Sequence, residues 1–266
     1  MHPMLNIAVK AARRAATIIQ RAAANLDIIK VEMKHHNDFV SEVDRAAEAA
    51  IIEVISEAYP QHTILAEESG HHQASHASDD YLWIIDPLDG TTNFLHGFPH
   101  YCVAIGLQHR GQMTQAVVYD PAHNDLFTAT RGSGAFLNDR RIRVSKKRDL
   151  SKALLNVSVP CRDVEHLEQH WSILKKLIQN TSAVRHCGAA ALDLAYVACG
   201  RCDGFWELGL SPWDIAAGSL LVQEAGGLVT DRHGGAAYLQ RGDIVAATPK
   251  LLAPLLALLA QESEQG

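Results

Sequence analysis

The sequence predicts an α+β fold whose two halves differ in pattern. In the first 150 residues, two helical patterns precede a run of short strands separated by turn residues, which favours an antiparallel meander. Strands and helices alternate over 151–266. We therefore expect an N-terminal α+β subdomain over 1–150 and a C-terminal α/β subdomain over 151–266, joined in a single compact unit. A chain of 266 residues with 47% hydrophobic composition can bury the core that such a unit needs.

Two helices are expected at the start of the chain. Residues 4–24 repeat Ala and Ile on one face at helical spacing. A second helix fits 42–58, with Ser41 as its N-cap and Asp44 three residues later, as in a capping box. Asp44 therefore has an ordinary role as a capping acid. The start of this helix can also face the turn at Asp86, which would place Asp44 near that turn.

The next strand ends in two acids. An apolar run over 63–66 precedes Glu67 and Glu68. Neighbouring side chains in an extended segment point to opposite sides, so we expect only one of the two to share a site with Asp86. The polar stretch over 71–80 lacks periodicity and is interpreted as a surface loop.

The segment 83–94, WIIDPLDGTTNF, carries the chemistry of the chain. An isoleucine-rich strand delivers Asp86 and Asp89 where the chain leaves the sheet, and Pro87 and Gly90 enforce that departure. Carboxylates on a tight turn suit a hard divalent cation, and the helix start that follows suits a phosphate. Two turn aspartates alone are more often caps than metal ligands. The threonine hydroxyls beside them, which can orient a water, favour a hydrolytic site.

The rest of the chain supplies further strands and acids. Short strands follow one another over 101–144, the last at 142–144. Beyond them, helices are expected over 163–179 and 189–198, and a strand closes on Glu207. Asp214 then begins a helix, where an acid has the ordinary role of stabilising the first turn.

Charge and cysteine content restrict the function classes. A net charge of −6 argues against a basic nucleic-acid-binding surface as the main activity. The basic run over 140–148 could form a local patch, although such runs are usually solvated. Five scattered cysteines and the lack of a signal-peptide pattern favour a reduced, cytoplasmic protein. The apolar stretch over 251–260 is only about 15 Å long as a helix, too short to span a membrane.

Four motifs in order along nearly the whole chain resemble one family. They are AEES at 66–69, DPLDGTTNF at 86–94, WDIAAG at 213–218 and EAGG at 224–227. The combination resembles the inositol monophosphatase family of magnesium-dependent, lithium-sensitive phosphatases. The resemblance implies a layered α-β-α-β-α sandwich of the inositol monophosphatase and fructose-1,6-bisphosphatase type, usually a homodimer, with its active site between the two halves.

The resemblance also assigns roles to residues of this sequence. Two to three Mg²⁺ ions would be held by four acids and one carbonyl: Glu67, Asp86, the Leu88 carbonyl, Asp89 and Asp214. The implied catalytic residues are Glu67 and Thr91, with Asp44 supporting Thr91 as it orients the attacking water. The implied substrate contacts are Glu67, Asp89, Gly90, Thr91, Ala190, Glu207 and Asp214.

The implied reaction is the hydrolysis of myo-inositol 1-phosphate to inositol and phosphate by in-line attack of a water activated by the cations. The metal motif does not distinguish this substrate from fructose 1,6-bisphosphate, NADP or nucleotide 3′-phosphates, which other proteins of this fold use. A different class of function is also implied, because one bacterial branch of the family is associated with transcription antitermination through contacts with the transcription machinery and RNA. No membrane partner is expected.

Overall fold

The fold consists of five layers in the order helix, sheet, helix, sheet, helix. A computed structural model describes residues 2–35, 38–72, 78–157 and 167–260. The helices are α1 Pro3–Ala23, α2 Glu42–Ala58, α3 Thr91–Leu95, α4 Leu167–Asn180, α5 Ala190–Ala198, α6 Pro212–Glu224, α7 Tyr238–Arg241 and α8 Leu252–Ala260.

The strands form three sheets. They are β1 Val31–His35, β2 Asp38–Ser41, β3 His62–Ala66, β4 Gly70–His72, β5 Ser78–Asp89, β6 Cys102–His109, β7 Gln112–Asp120, β8 Asp125–Thr130, β9 Gly134–Leu137, β10 Arg140–Arg141, β11 Leu154–Val157, β12 Ala183–Arg185, β13 Gly204–Glu207, β14 Leu228–Thr230 and β15 Ile244–Ala247. β1 and β2 pair as a hairpin. The large sheet has the order β10-β9-β8-β7-β6-β5-β3-β4, and the small sheet has the order β12-β11-β13-β15-β14.

Helices α1 and α2 cover one face of the large sheet. Alanines such as Ala12 let the two helices approach closely, and Ile51 and Ile55 of α2 pack with Ile85 and Ile105 of the sheet. Strands β6 to β10 follow one another as antiparallel neighbours, so the predicted meander is confirmed.

Helices α5 and α6 form the middle layer, between the two sheets. They pack so closely that a Cβ on Gly218 of α6 would lie 2.6 Å from the Leu194 side chain of α5. Alternation along β13 then fills both faces of the small sheet. Phe205 faces the middle layer, and its neighbour Trp206 packs with α4 and α8 on the outer face. The layered sandwich predicted by the resemblance is confirmed.

Two predicted local structures are wrong. Residues 142–144 are not a strand: the ladder with β9 ends soon after Arg141, because Val144 donates its N–H to the Ala225 carbonyl at the end of α6 instead. The stretch 71–80 is not simply a loop, since His71 and His72 lie in β4 and pair with β3; residues 73–77 lie outside the described part. None of the described helices is long and apolar enough to cross a membrane.

Candidate active site

The end of β5 is bent between its two aspartates. Asp86 pairs with Ala104 of β6 and Asp89 pairs with Cys102, with a shift of register between them. The shift falls at Pro87, which has no N–H for the ladder. The Leu88 N–H instead donates to Asp86 Oδ1 over 3.0 Å, which fixes the carboxylate against its own turn.

Gly90 ends the bend in a conformation that other residues adopt at a cost. Its φ is +88°, and a Cβ built there would lie 2.9 Å from the His100 carbonyl oxygen and 3.1 Å from the Ala189 Cβ. This close approach brings the start of α3 against the loop that enters α5. Gly90, the N-cap of α3, therefore lies beside elements from both halves of the chain.

Thr91 and Asp44 form a hydrogen-bonded pair. The Thr91 hydroxyl lies 3.0 Å from Asp44 Oδ1 and 3.0 Å from the Leu88 carbonyl oxygen. The other Asp44 oxygen accepts the Ser41 N–H over 2.9 Å and the Ser41 hydroxyl over 2.5 Å. Asp44 thus serves as a cap through one oxygen and contacts Thr91 through the other. Burial raises the pKa of the Asp44 carboxyl, although the hydrogen bonds from Ser41 and Thr91 act in the opposite direction.

Three acids act on Asp86 at this point: Glu67 after β3, Asp89 at the end of the same strand β5, and Asp214 in the first turn of α6. Burial raises the pKa of Asp86 well above its usual range, and the charges of Glu67, Asp89 and Asp214 raise it further. Among the two acids after β3, it is Glu67 that couples to Asp86 and shares a hydrogen bond with it. Burial likewise raises the pKa of Asp89 to about 7.

Besides Asp86, which accepts the Leu88 N–H, two of these acids are held by backbone N–H groups at the starts of α5 and α6. Asp89 Oδ2 accepts the N–H of Ala191, in the first turn of α5, over 2.7 Å. Asp214 Oδ2 accepts the Ser211 N–H over 2.7 Å, so its ordinary role at the start of α6 is real as well. The middle helical layer therefore approaches the end of β5 from two directions, through the starts of α5 and α6.

The predicted substrate contacts lie at the ends of neighbouring elements. Ala190 is the first residue of α5, directly before the residue that donates to Asp89. Glu207 is the last residue of β13, where it pairs with Ile244 of β15. Their contact with a substrate stays a prediction, as does that of the Gly90 and Thr91 N–H groups with a phosphate.

Hydrogen bonds that the sequence did not indicate brace this site. The Asn93 amide donates to the carbonyl oxygens of His100 over 2.7 Å and Cys187 over 2.8 Å. His100 Nε2 lies 2.9 Å from Asp193 Oδ1, which also accepts from Asn156 over 2.9 Å. These contacts join the loop after α3 to α5 and β11. His100 and Asp193 are 93 residues apart, and neither belongs to a motif that would have revealed the pair.

The donor set fits a hard divalent cation. Acids whose pKa values are raised by burial and by one another are destabilised as anions, and a cation between them removes that cost. All of the predicted ligands, four carboxylates and the Leu88 carbonyl, offer oxygen atoms. A second group of possible ligand atoms lies within 4.8 Å of one another, in His100, Cys187 and Asp193. Hydrogen bonds explain this group, because His100 contacts Asp193 and Cys187 contacts Asn156.

The chain belongs to the inositol monophosphatase family, because the sequence model of that family matches residues 1–265. It is similar to the Nus factor SuhB of Pseudomonas aeruginosa, with 51% identity over 258 residues that cover 96% of this chain and 95% of the relative. The extragenic suppressor protein SuhB from Bartonella henselae has a similar structure, with 40% identity, a TM-score of 0.94, and coverage of 98% of this chain and 99% of the other.

A solved inositol monophosphatase has the same architecture. The enzyme from Anabaena (Nostoc) sp. is 40% identical, with a TM-score of 0.84, and the match covers 97% of this chain and 95% of that one. The family resemblance inferred from the four motifs is therefore confirmed. The family and the Anabaena structure support the interpretation of this chain as a phosphatase. The relative from Pseudomonas is instead named as a Nus factor.

Proposed function

We propose that the protein is a Mg²⁺-dependent phosphomonoesterase that hydrolyses inositol monophosphate, with myo-inositol 1-phosphate as the expected substrate, to inositol and phosphate. The observation that carries the proposal is the coupling of Asp86 to Glu67, Asp89 and Asp214 beside the Thr91–Asp44 pair. A buried carboxyl whose pKa is raised further by the charges of three neighbouring acids suits a cation. A hydroxyl backed by a buried carboxylate suits a water that must lose a proton.

Glu67, Asp86, Asp89, Asp214 and the Leu88 carbonyl are the groups that would hold two to three Mg²⁺ ions. When bound, the cations would lower the pKa of water and neutralise charge that develops on the phosphate and the leaving oxygen. The backbone turn contributes by keeping the ligands at fixed positions, since the Leu88 N–H holds Asp86 and the Ala191 N–H holds Asp89.

Thr91 and Asp44 handle the proton of the attacking water. The Thr91 hydroxyl donates its proton toward Asp44 Oδ1, which leaves its oxygen lone pairs to accept from the water. As the bond from water oxygen to phosphorus forms and the ester bond breaks, the water proton passes to Thr91 while the Thr91 proton passes to Asp44. The leaving alkoxide takes a proton from solvent. The raised pKa of Asp44 makes its carboxylate a better proton acceptor than an exposed aspartate.

The alcohol part of the substrate would contact Ala190 and Glu207. A carboxylate that accepts hydrogen bonds from neighbouring hydroxyls suits a polyol, and this favours inositol phosphate over a nucleotide. Fructose 1,6-bisphosphate and NADP remain the alternative substrates, because they would engage the same acids.

The test is phosphate release from a panel of inositol, sugar and nucleotide phosphates, with and without Mg²⁺. The wild type is compared with Asp86→Asn and with Asp149→Asn, which changes an exposed aspartate outside the site. We expect Mg²⁺-dependent release that favours inositol 1-phosphate, that is lost in Asp86→Asn and retained in Asp149→Asn. Release that survives exhaustive chelation, or a phosphoryl-enzyme trapped during turnover, would contradict the mechanism. Added Li⁺ is expected to inhibit.

A second candidate function is a role in transcription, of the kind for which the relative from Pseudomonas is named. The basic run presents six exposed side chains: Arg140, Arg141, Arg143, Lys146, Lys147 and Arg148. They could contact RNA or the transcription machinery despite the acidic net charge. The test compares binding to a transcription complex by wild type, by Asp86→Asn and by a Lys146→Glu/Lys147→Glu variant. Binding that persists in Asp86→Asn and falls in the charge-reversed variant supports a role independent of hydrolysis; binding by none of the three rejects it.

We also propose that the protein is a cytoplasmic homodimer. Large apolar side chains at the surface support self-association: Phe98 is 52% exposed, Trp171 47% and Ile178 59%. Sedimentation at several concentrations tests the dimer, and a monomer at all of them would reject it.

A further inference from the structure

A second buried acid lies one helical turn after Asp44 on α2. Glu48 is 3% exposed, and four residues after Asp44 it lies on the same helix face, about 6 Å along the axis. Both of its carboxylate oxygens accept hydrogen bonds from the turn between β3 and β4. Glu48 Oε2 accepts the Glu68 N–H over 2.8 Å, and Glu48 Oε1 accepts the Ser69 hydroxyl.

This turn carries Glu67. On one side, the Glu67 N–H donates to the carbonyl oxygen of Ile85, the residue before Asp86, over 3.2 Å. On the other side, the next two residues of the turn are bound to Glu48. The backbone of Glu67 is therefore held between β5 and α2. A carboxylate suits this position because two donors converge on it, and an anion strengthens both hydrogen bonds.

We propose that Glu48 is a positioning residue for the cation site, because it fixes the turn from which Glu67 reaches Asp86. The inference rests on the proposed function. Helix α2 is then a common frame for two parts of the site. Asp44 holds Thr91, which acts on the water, and Glu48 holds the turn of Glu67, which binds a cation. Neither contact of Glu48 involves substrate or the reacting atoms, so its effect is on cation affinity.

Replacement of Glu48 separates cation binding from chemistry. Glu48→Ala removes both acceptors, and we expect it to weaken Mg²⁺ binding by about 10-fold or more, as loss of groups that orient metal ligands commonly does. Catalysis at saturating Mg²⁺ is expected to be largely restored. Thr91→Val is the opposite case, with kcat reduced and Mg²⁺ affinity retained. Glu57→Ala, an exposed acid on the same helix, is the matched control and should behave as wild type.

The experiment is Mg²⁺ titration by calorimetry on the full chain, combined with phosphate release as a function of Mg²⁺ concentration. Circular dichroism checks that each variant is folded. If Glu48→Ala does not fold, two milder variants take its place: Glu48→Gln keeps one acceptor oxygen, and Ser69→Ala removes one of the two donors. Each of these two variants should weaken Mg²⁺ binding by less than the roughly 10-fold expected for Glu48→Ala.

The outcomes distinguish this inference from the proposed function. If the wild type binds Mg²⁺ and releases phosphate, and the folded Glu48 and Ser69 variants bind Mg²⁺ equally well, the positioning role alone is overturned. Wild type that neither binds Mg²⁺ nor releases phosphate overturns both. A kcat that falls in Glu48→Ala without any change in Mg²⁺ affinity also overturns the positioning role, because it would assign Glu48 to the chemical step.

Discussion

Gly90→Ala should destabilise the protein by two separable effects. The first is conformational: at φ of +88° an alanine pays about 1–2 kcal/mol relative to glycine. The second is steric, because the new Cβ would lie 2.9 Å from the His100 carbonyl oxygen. That oxygen cannot move freely, since it accepts the Asn93 amide over 2.7 Å, and overpacking of this kind costs about 1–3 kcal/mol. The sum is about 2–5 kcal/mol.

Gly226→Ala is the matched control for this prediction. Gly226 has the same φ of +88°, but a Cβ built there meets nothing within 4 Å. It should therefore show the conformational cost of about 1–2 kcal/mol and no more. Urea unfolding monitored by circular dichroism, with unchanged m-values, gives both free energies. Equal losses in the two variants would refute the steric part of the reasoning, and a loss below about 0.5 kcal/mol in Gly90→Ala would refute both parts.

Four further predictions concern the groups around the turn at Asp86–Gly90 and the loop that packs against it. Because burial raises the pKa of Asp89 to about 7, the folded state without cations binds more protons than the unfolded chain, so its stability should fall as pH rises from about 4 to 7. Protons compete with cations for the Asp89 carboxylate, so Mg²⁺ affinity should rise from about pH 4 to pH 7 and level off above pH 7. Thermal unfolding as a function of pH, with and without Mg²⁺, measures both the stability and the Mg²⁺ affinity. Values that do not change with pH would contradict both expectations. Thr91→Val should lower kcat by about 10²-fold or more with little change in KM, as expected for a group that takes part in proton transfer, and equal kcat values would remove Thr91 from the step. Asn93→Asp keeps the shape of the side chain but cannot donate to the carbonyl oxygens, so it should cost about 1–3 kcal/mol in urea unfolding. Asn25→Asp, at an exposed asparagine whose side chain makes no capping hydrogen bond, should cost little. A double-mutant cycle on His100→Leu and Asp193→Leu should give a coupling energy of about 1.5–3 kcal/mol, and additive losses would mean that the pair does not interact in solution.

Local signals predicted the parts of the site that lie close together in the chain. Pro87 and Gly90 predicted the bend that ends β5, because one lacks an N–H and the other tolerates a positive φ. Ser41 and Asp44 predicted the start of α2 from capping chemistry. The i, i+4 spacing of Asp44 and Glu48 was also visible, and could have indicated that two acids share a helix face.

Contacts between distant segments had no such signal. The Ala191 N–H that binds Asp89 is an ordinary backbone group in an alanine-rich helix, and only the packing of α5 against the large sheet brings it to the site. Residues 142–144 show the same limit. Their composition suits a strand, but the chain leaves the sheet there because Val144 bonds to the end of α6.

The layers explain how a cluster of acids around the buried Asp86 can persist in a stable fold. Asp86 is 1% exposed and the charges around it raise its pKa, so the site opposes folding whenever these acids are ionised without a cation. The opposing stabilisation comes from elements outside the cluster. Helix α2 binds one side through Asp44, and the first turn of α5 binds the other through Ala191. Because both contacts are made within the protein, they oppose the displacement of Thr91 and Asp89 by the repulsion among the acids. A substitution that only loosens the support of a ligand, such as Glu48→Ala, should therefore alter cation affinity before it alters the chemistry at Thr91.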